Sequence, residues 1–208
     1  MAVEIQVLSH PLAKHCIAHL RDKTTPPALF RSLTDQLTTI LAIEATRGLS
    51  TRSAEVETPL ESTEVELLDE PLVVVPILRA GLGMLGPVVG LFPDVSVGYL
   101  GLERDEKTAE ASVYYSKLPP TAGKTVLLVD PMLATGGSAC HALADITSRE
   151  PARVILICIV AAPEGVAAVN RRFPEVKIVT AALDRQLNDR KYILPGLGDF
   201  GDRLYGTL

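Results

Sequence analysis

The chain has 208 residues, of which 47% are hydrophobic and 22% charged, and its formal net charge is −5 at pH 7. This length and composition predict one domain, residues 1–208, with a sizeable core. The negative charge argues against a nucleic-acid partner, because sequence-independent binding to phosphates needs basic patches. No basic-then-apolar signal pattern or run of about 20 apolar residues occurs, so we expect a cytoplasmic protein without a membrane partner.

The N-terminal third predicts two helices followed by an exposed pair of strands. Residues 10–22 favour a short helix, and residues 28–47 a longer one with an apolar stripe and Gly48 as its stop. The alternating pattern of residues 53–68 predicts two edge strands around Pro59, outside the core. A contact between two subunits is one use for such a β-arm.

From residue 72 to residue 180 the sequence alternates apolar runs with helix-compatible segments. The predicted strands are residues 72–78, 95–102, 126–129, 153–160 and 176–180. Because parallel strands covered on both faces contain continuous apolar runs, the pattern predicts an α/β fold with a twisted, mainly parallel sheet flanked by helices. We place the core at about residues 69–181 and a C-terminal hood, built from loops rather than helices, at about 182–208.

The clearest chemical signal lies in residues 124–143, where a predicted strand ends at Asp130 and small residues lead into a helix. Glycines let backbone N–H groups approach an anion closely, Thr135 and Ser138 add hydroxyl donors, and a helix N-terminus favours negative charge. Asp130 would repel a phosphate unless its carboxylate accepted hydrogen bonds from ligand hydroxyls or helped to hold a cation. The predicted ligand is therefore a sugar phosphate.

Arg79 immediately follows the predicted strand 72–78. Ligands of open α/β sheets bind at the carboxyl ends of the strands, so Arg79 is a candidate site residue. The next glycines also spell GxGxxG, the dinucleotide-binding fingerprint, at Gly81, Gly83 and Gly86. A nicotinamide-dependent dehydrogenase is therefore an alternative, although Pro76 would interrupt the required strand and nothing else in the sequence supports it.

Four motifs together resemble the uracil phosphoribosyltransferase family in their order and spacing. They are PILRAGLGM at 76–84, VDPMLATGGS at 129–138, AAPEG at 161–165 and YILPGLGDFGDRLYGT at 192–207. The second resembles the family's loop for phosphoribosyl pyrophosphate in its Asp-Pro form. The resemblance implies a phosphoribosyltransferase-type fold with an N-terminal helical pair, a β-arm and a hood. It also implies transfer of the 5-phosphoribosyl group to uracil, giving UMP and diphosphate in pyrimidine salvage.

The resemblance also implies residue roles. Asp130 would accept hydrogen bonds from the ribose hydroxyls, while Arg79 and Arg104, with Mg²⁺ carried by the substrate rather than held by the protein, would stabilise the leaving diphosphate. The implied catalytic residues are Arg79, Arg104, Asp130 and Asp199. The implied ligands of the phosphoribosyl donor are Arg79, Arg104, Asp130, Pro131, Met132, Leu133, Ala134, Thr135, Gly136, Gly137, Ser138 and Asp199.

Uracil is expected to lie against Ile193 and to be recognised by the backbone at Gly198, Asp199 and Phe200. Phe200 stands where many family members have alanine, but the expected contact there comes from the backbone, so we expect the same substrate. The segment that follows strand 95–102, as far as Lys117, corresponds in the family to a mobile arm near the active site.

The resemblance further implies a homodimer or homotetramer, and GTP is a candidate activator for which no motif is evident. A rival function is a nucleotide-sensing regulator of the same fold that binds RNA. Such regulators usually carry two adjacent acids where this chain has Asp130 and Pro131, and the acidic composition offers no evident RNA-binding face.

Overall fold

The computed structural model describes residues 5–104 and 111–207, with only the backbone of residues 103, 104, 111 and 112. The strands are β1 (Ile5–Val7), β2 (Thr51–Glu57), β3 (Ser62–Leu68), β4 (Leu72–Leu78), β5 (Ser96–Val97), β6 (Tyr99–Arg104), β7 (Ala111–Lys117), β8 (Thr125–Val129), β9 (Met132–Leu133), β10 (Arg153–Ala161), β11 (Lys177–Leu183), β12 (Gln186–Leu187) and β13 (Ile193–Leu194). The helices are α1 (Pro11–Arg21), α2 (Pro27–Ala45), α3 (Leu82–Leu91), α4 (Gly137–Thr147), α5 (Pro163–Arg172) and α6 (Phe200–Tyr205).

A central sheet organises the molecule, with strand order β1-β11-β10-β8-β4-β6-β7 and with β5 and β9 beside β4 and β10. Its pairs are parallel except β6 with β7, which is antiparallel. Strands β4, β8 and β10 lie inside the sheet and are buried along almost their whole length, as their continuous apolar runs predict. The predicted α/β fold is confirmed.

Alternate residues of each strand face two separate cores, because successive side chains point to opposite sides of a sheet. In β8, Leu127 and Val129 pack in a core with residues of α1, α2 and α3. Val126 and Leu128 pack in the other core with residues of α4 and α5. The helices therefore cover both faces and leave the ends of the strands accessible. None of the described helices has the length and apolar character that crossing a bilayer requires.

The predicted β-arm is confirmed, since among the described strands β2 and β3 pair only with each other and are mostly exposed. Its base is held to the sheet by Glu70, which forms an ion pair with Arg153 and accepts a hydrogen bond from Thr125. Burial raises the pKa of the Glu70 carboxyl, but hydrogen bonds from Thr125, Ser50 and Arg153 outweigh it and hold the pKa at about 2. Glu70 therefore stays ionised at neutral pH.

The C-terminal hood is not built from loops alone, which corrects the prediction. It contains the hairpin β12–β13 and the six-residue helix α6. Asp199 caps this helix by accepting a hydrogen bond from the N–H of Asp202 at 3.0 Å. Phe200 and Leu204, four residues apart, bury one side of it in the core shared with α2 and α3. Burial of this face stabilises a helix too short to persist alone.

Pro76 does not interrupt β4, contrary to the prediction. The strand runs through it, with Pro76 opposite Val129 of β8. On the other side, β4 pairs with β5 through Val73 and Val74, and with β6 through Ile77 and Leu78. Pro76 falls between these two short ladders, where a residue without an N–H donor is tolerated.

Candidate active site

A tight loop at the carboxyl end of β8 forms a small polar cavity of about 60 Å³. Its lining comprises Asp130, Met132, Leu133, Ala134, Thr135, Gly136, Gly137, Ser138 and Ala139. All predicted donor ligands of this loop are thus brought together except Pro131, which is buried with its carbonyl accepting from the N–H groups of Ile159 and Val160. The loop is fixed to β10 and ends at the N-terminus of α4, which favours an anion.

Two glycines allow this loop to pack against the start of α5. Gly136 has φ of +79°, and a Cβ there would lie 2.9 Å from the carbonyl oxygen of Gly165. A Cβ on Gly165 would in turn lie 2.5 Å from the carbonyl oxygen of Ala134. The neighbouring Glu164 accepts a hydrogen bond from the N–H of Leu187 in the hood at 2.9 Å. The AAPEG motif therefore connects the loop of residues 130–139, which we call the anion loop, with the hood. Its sequence did not indicate this role.

Asp130 is the residue of this loop whose pKa is shifted. Burial raises the pKa of its carboxyl to about 7, and a hydrogen bond from the N–H of Met132 opposes this only in part. The carboxyl is therefore partly protonated near neutral pH in the free protein. Ligand hydroxyls that donate to it would favour the carboxylate and lower its pKa.

Arg79 lies in a turn beside this loop, as predicted, with its side chain exposed. The Leu78–Arg79 peptide bond is cis. The turn packs tightly on the sheet, because a Cβ on Gly81 would lie 2.6 Å from the carbonyl oxygen of Val129, the residue before Asp130. Arg79 and the anion loop thus share one edge of the sheet, and the hydroxyl of Tyr205 in α6 donates to the Arg79 carbonyl at 3.2 Å.

The glycines of the GxGxxG pattern have packing roles that differ from those of a dinucleotide fingerprint. A Cβ on Gly83 would meet the side chain of Leu204 in α6 at 2.6 Å. A Cβ on Gly86 would meet nothing within 4 Å, so a close approach of helix and strand does not require glycine at this position. Packing therefore accounts for Gly81 on the sheet and Gly83 under the hood but requires no glycine at 86, and the dehydrogenase alternative loses its support.

A larger cavity of about 290 Å³ lies under the hood. It is lined by Met132, Ala134, Arg190, Lys191, Tyr192, Ile193, Gly198, Asp199 and Phe200. All four predicted uracil contacts are among them, and Met132 and Ala134 also line the anion cavity. A small polar cavity at the N-terminus of α4 and a larger cavity therefore adjoin each other.

Phe200 lines this cavity but is only 2% exposed. Its ring packs edge-on against Phe30, with ring centroids 5.2 Å apart. Gly198, with φ of +81°, and Asp199 are exposed on the approach to α6. The contact of backbone groups with the base stays a prediction.

Three lining residues were not singled out from the sequence, namely Arg190, Lys191 and Tyr192. They form a turn held by the side chain of Asn188, which accepts hydrogen bonds from the N–H groups of Arg190 and Tyr192 at 3.0 and 2.9 Å. Two adjacent cations beside the YILPGLGD motif were the signal that could have identified them.

Arg104 remains a prediction, because its side chain lies outside the described part of the chain. Its backbone ends β6, which pairs with β4 just before Arg79. Residues 105–110 of the predicted mobile arm also lie outside the described residues, whereas residues 111–117 form β7. This strand was not predicted, because its sequence is polar.

Strand order, anion loop and hood together define the class of fold as that of the phosphoribosyltransferases. A crystal structure of a hypoxanthine-guanine phosphoribosyltransferase from Bacillus anthracis superposes with a TM-score of 0.51 and 11% identity, over 74% of this chain and 79% of that one. Similarity at this level supports the fold alone.

Closer similarities identify the family within this class. The family model described as uracil phosphoribosyltransferase matches residues 7–207. A uracil phosphoribosyltransferase of Thermosipho melanesiensis is 47% identical over 207 residues, covering 99% of this chain and 100% of the relative. A solved protein of Aquifex aeolicus superposes with a TM-score of 0.94 at 42% identity, over 97% of this chain and 98% of that one. The chain belongs to the uracil phosphoribosyltransferase family.

Proposed function

We infer that the protein transfers the 5-phosphoribosyl group from 5-phosphoribosyl 1-diphosphate to uracil, giving UMP and diphosphate in pyrimidine salvage. The observation that carries this function is the pair of adjoining cavities, an anion loop and a base-sized site, which share Met132 and Ala134. The reaction needs N1 of uracil, the anomeric carbon and the leaving diphosphate in line. The bond from the anomeric carbon to diphosphate breaks as the bond to N1 of uracil forms, and N1 loses its proton.

The anion loop would hold the donor by its 5′-phosphate. Backbone N–H groups of residues 134–138 and the hydroxyls of Thr135 and Ser138 provide donors at the N-terminus of α4. The Asp130 carboxylate would accept hydrogen bonds from the ribose hydroxyls. Anchoring both groups on one rigid loop leaves the anomeric carbon facing the second cavity.

The diphosphate would leave toward Arg79 and Arg104. The exposed guanidinium of Arg79 can form charge-assisted hydrogen bonds to it as negative charge develops. Mg²⁺ bound to the donor's diphosphate would enter as part of the substrate and neutralise further charge.

Uracil would lie in the hood cavity against Ile193, with its edge facing the backbone at Gly198, Asp199 and Phe200. Cytosine has a donor where uracil has an acceptor, and a mismatch against a site built to form hydrogen bonds can cost roughly 10⁴-fold. Backbone recognition of this kind leaves substrate choice independent of the buried Phe200 ring.

Assembly, activation and location complete the proposal. The protein would form a homodimer or homotetramer, for which the β-arm, with Leu60 95% exposed, is a candidate contact. The resemblance leaves activation by GTP open, and the sequence leads us to expect residence in the cytoplasm; both stay predictions. Light scattering, and activity assays with and without GTP, test the first two.

The direct test is diphosphate release from the purified protein with the phosphoribosyl donor and Mg²⁺. Uracil, cytosine, hypoxanthine and orotate are offered in parallel, and we expect release with uracil alone. Diphosphate release with hypoxanthine instead of uracil would overturn the function. So would the absence of release with all four bases, whether or not GTP is present. If no diphosphate is released and the protein binds RNA on filters in a salt-dependent way, the RNA-binding regulator becomes the favoured function.

Gly165→Ala is expected to raise KM for the phosphoribosyl donor roughly tenfold, because the added methyl group must displace the carbonyl of Ala134, a residue that lines both cavities. Gly90→Ala is the matched control, since a Cβ at that helical position meets nothing within 4 Å. Steady-state kinetics over a range of donor concentrations measure both variants. Equal KM values for Gly165→Ala and wild type would show that α5 does not position the loop.

A further inference from the structure

The hood is attached to the N-terminal helical pair through a partly buried ion pair that the mechanism does not use. Arg21, the last residue of α1, contacts Asp184 with both terminal nitrogens, at 2.8 Å and 2.5 Å. Asp184 follows β11, and its side chain is only 4% exposed. This two-pronged geometry fixes both the distance and the orientation of the two groups.

Both members of the pair also hold the peptide groups of Gly196. The N–H of Gly196 donates to Asp184 Oδ2 at 2.9 Å, and its carbonyl accepts from Arg21 Nη1 at 2.8 Å. Gly196 is buried with φ of +59°, and a Cβ there would lie 2.2 Å from the Ile193 carbonyl oxygen. The backbone at this point is therefore held from both sides by one ion pair.

Arg203 extends the same support along the hood. Its guanidinium donates to the carbonyls of Leu197 at 2.8 Å and of Asp22 at 2.5 Å, and it also contacts the carbonyl of Leu20. It lies 4.5 Å from the centroid of the Phe30 ring. Gly196 and Leu197 are thus bound to the end of α1. The next residues, Gly198 and Asp199, line the hood cavity.

Stability alone gives no strong reason for such a pair, because the cost of desolvating the buried Asp184 carboxylate and part of the Arg21 guanidinium offsets some of their attraction. What the pair supplies is a defined position for the backbone two residues before Gly198. We propose that Arg21 and Asp184 are positioning residues of the uracil site, which hold the hood so that the backbone at Gly198 and Asp199 is set for the base. This inference rests on the proposed uracil transfer.

The test compares KM for uracil with KM for the phosphoribosyl donor in Arg21→Lys and Arg21→Gln. Lysine keeps the charge but has one nitrogen in place of the two that contact the two carboxylate oxygens of Asp184, so it loses the two-pronged geometry; glutamine loses the charge as well. We expect KM for uracil to rise roughly tenfold in Arg21→Lys and further in Arg21→Gln, with KM for the donor changed less than about twofold.

The matched control is Arg153→Lys, which weakens the ion pair with Glu70 at the opposite end of the sheet. It should change neither KM, even where it lowers the melting temperature as much as Arg21→Lys does. Equal changes in both KM values of Arg21→Lys, or no change in either, would overturn the positioning role. If wild type itself fails to use uracil, the proposed function fails first, and the two failures are distinguishable.

Discussion

Arg79→Ala is expected to lower kcat by roughly 10²- to 10³-fold, the range found when a donor to developing negative charge is removed from an active site. The guanidinium is exposed in the turn after β4, and no hydrogen bond or ion pair joins it to the described part of the chain. Its removal should therefore cost little stability. The loss arises because diphosphate then departs without this positive charge beside it.

Steady-state kinetics with saturating substrates, together with a thermal melt, measure this prediction. Arg149→Ala is the control, because Arg149 is a partly exposed arginine beyond the far end of α4 whose ion pair with Asp145 is local. The control should keep normal kcat. Arg79→Lys should fall between wild type and Arg79→Ala, since lysine keeps the charge but not the two-pronged hydrogen bonding. A near-normal kcat in Arg79→Ala would remove this residue from the site.

Asp130→Asn is expected to weaken binding of the phosphoribosyl donor by roughly 10- to 100-fold. The substitution removes charge-assisted hydrogen bonds from the ribose hydroxyls, each worth about 1.5–3 kcal/mol. Titration calorimetry with the donor and Mg²⁺ measures the affinity directly. Unchanged affinity would contradict the role of Asp130 as an acceptor for ribose.

The same substitution should stabilise the ligand-free protein above neutral pH. Burial raises the pKa of Asp130 from 3.8 to about 7, so between these values the folded protein keeps a proton that the unfolded chain has lost. The contribution of Asp130 to wild-type stability therefore falls as pH rises through this interval and is constant above it. Asparagine does not ionise, so the stability gained by the variant should grow from pH 4 to pH 7, toward an upper limit of about 4 kcal/mol.

Chemical denaturation of both proteins at several pH values between about 4.5 and 8.5 measures this difference without ligand. A gain that is independent of pH would show that the Asp130 carboxyl is not perturbed in the folded protein. Donor binding provides a second measurement, because hydrogen bonds to the carboxylate lower its pKa and release a proton. Calorimetry near pH 6.5 in buffers of different ionisation enthalpy should detect this release in wild type and a smaller one in Asp130→Asn.

The interior of the sheet could be predicted because each central strand carries its own signal. Residues 72–78 form β4 with the predicted bounds, since a parallel strand buried on both faces has an unbroken apolar run. The polar β7 and the three-residue β1 carry no such signal, so neither was predicted. They lie at the two edges of the sheet, and pairing with a neighbouring strand rather than local sequence forms them.

The sequence by itself determined the anion loop and the position of Arg79, because both depend on a strand end and on the few residues that follow it. The tertiary structure alone decided the pKa of Asp130, the contact of Gly165 with the loop, and the link between Arg21 and Asp184, which are 163 positions apart. It also decided the six-residue α6, which burial against other elements stabilises. Sequence patterns report on structure within one or two turns of the chain. Burial and hydrogen bonding between distant segments depend on the packed fold.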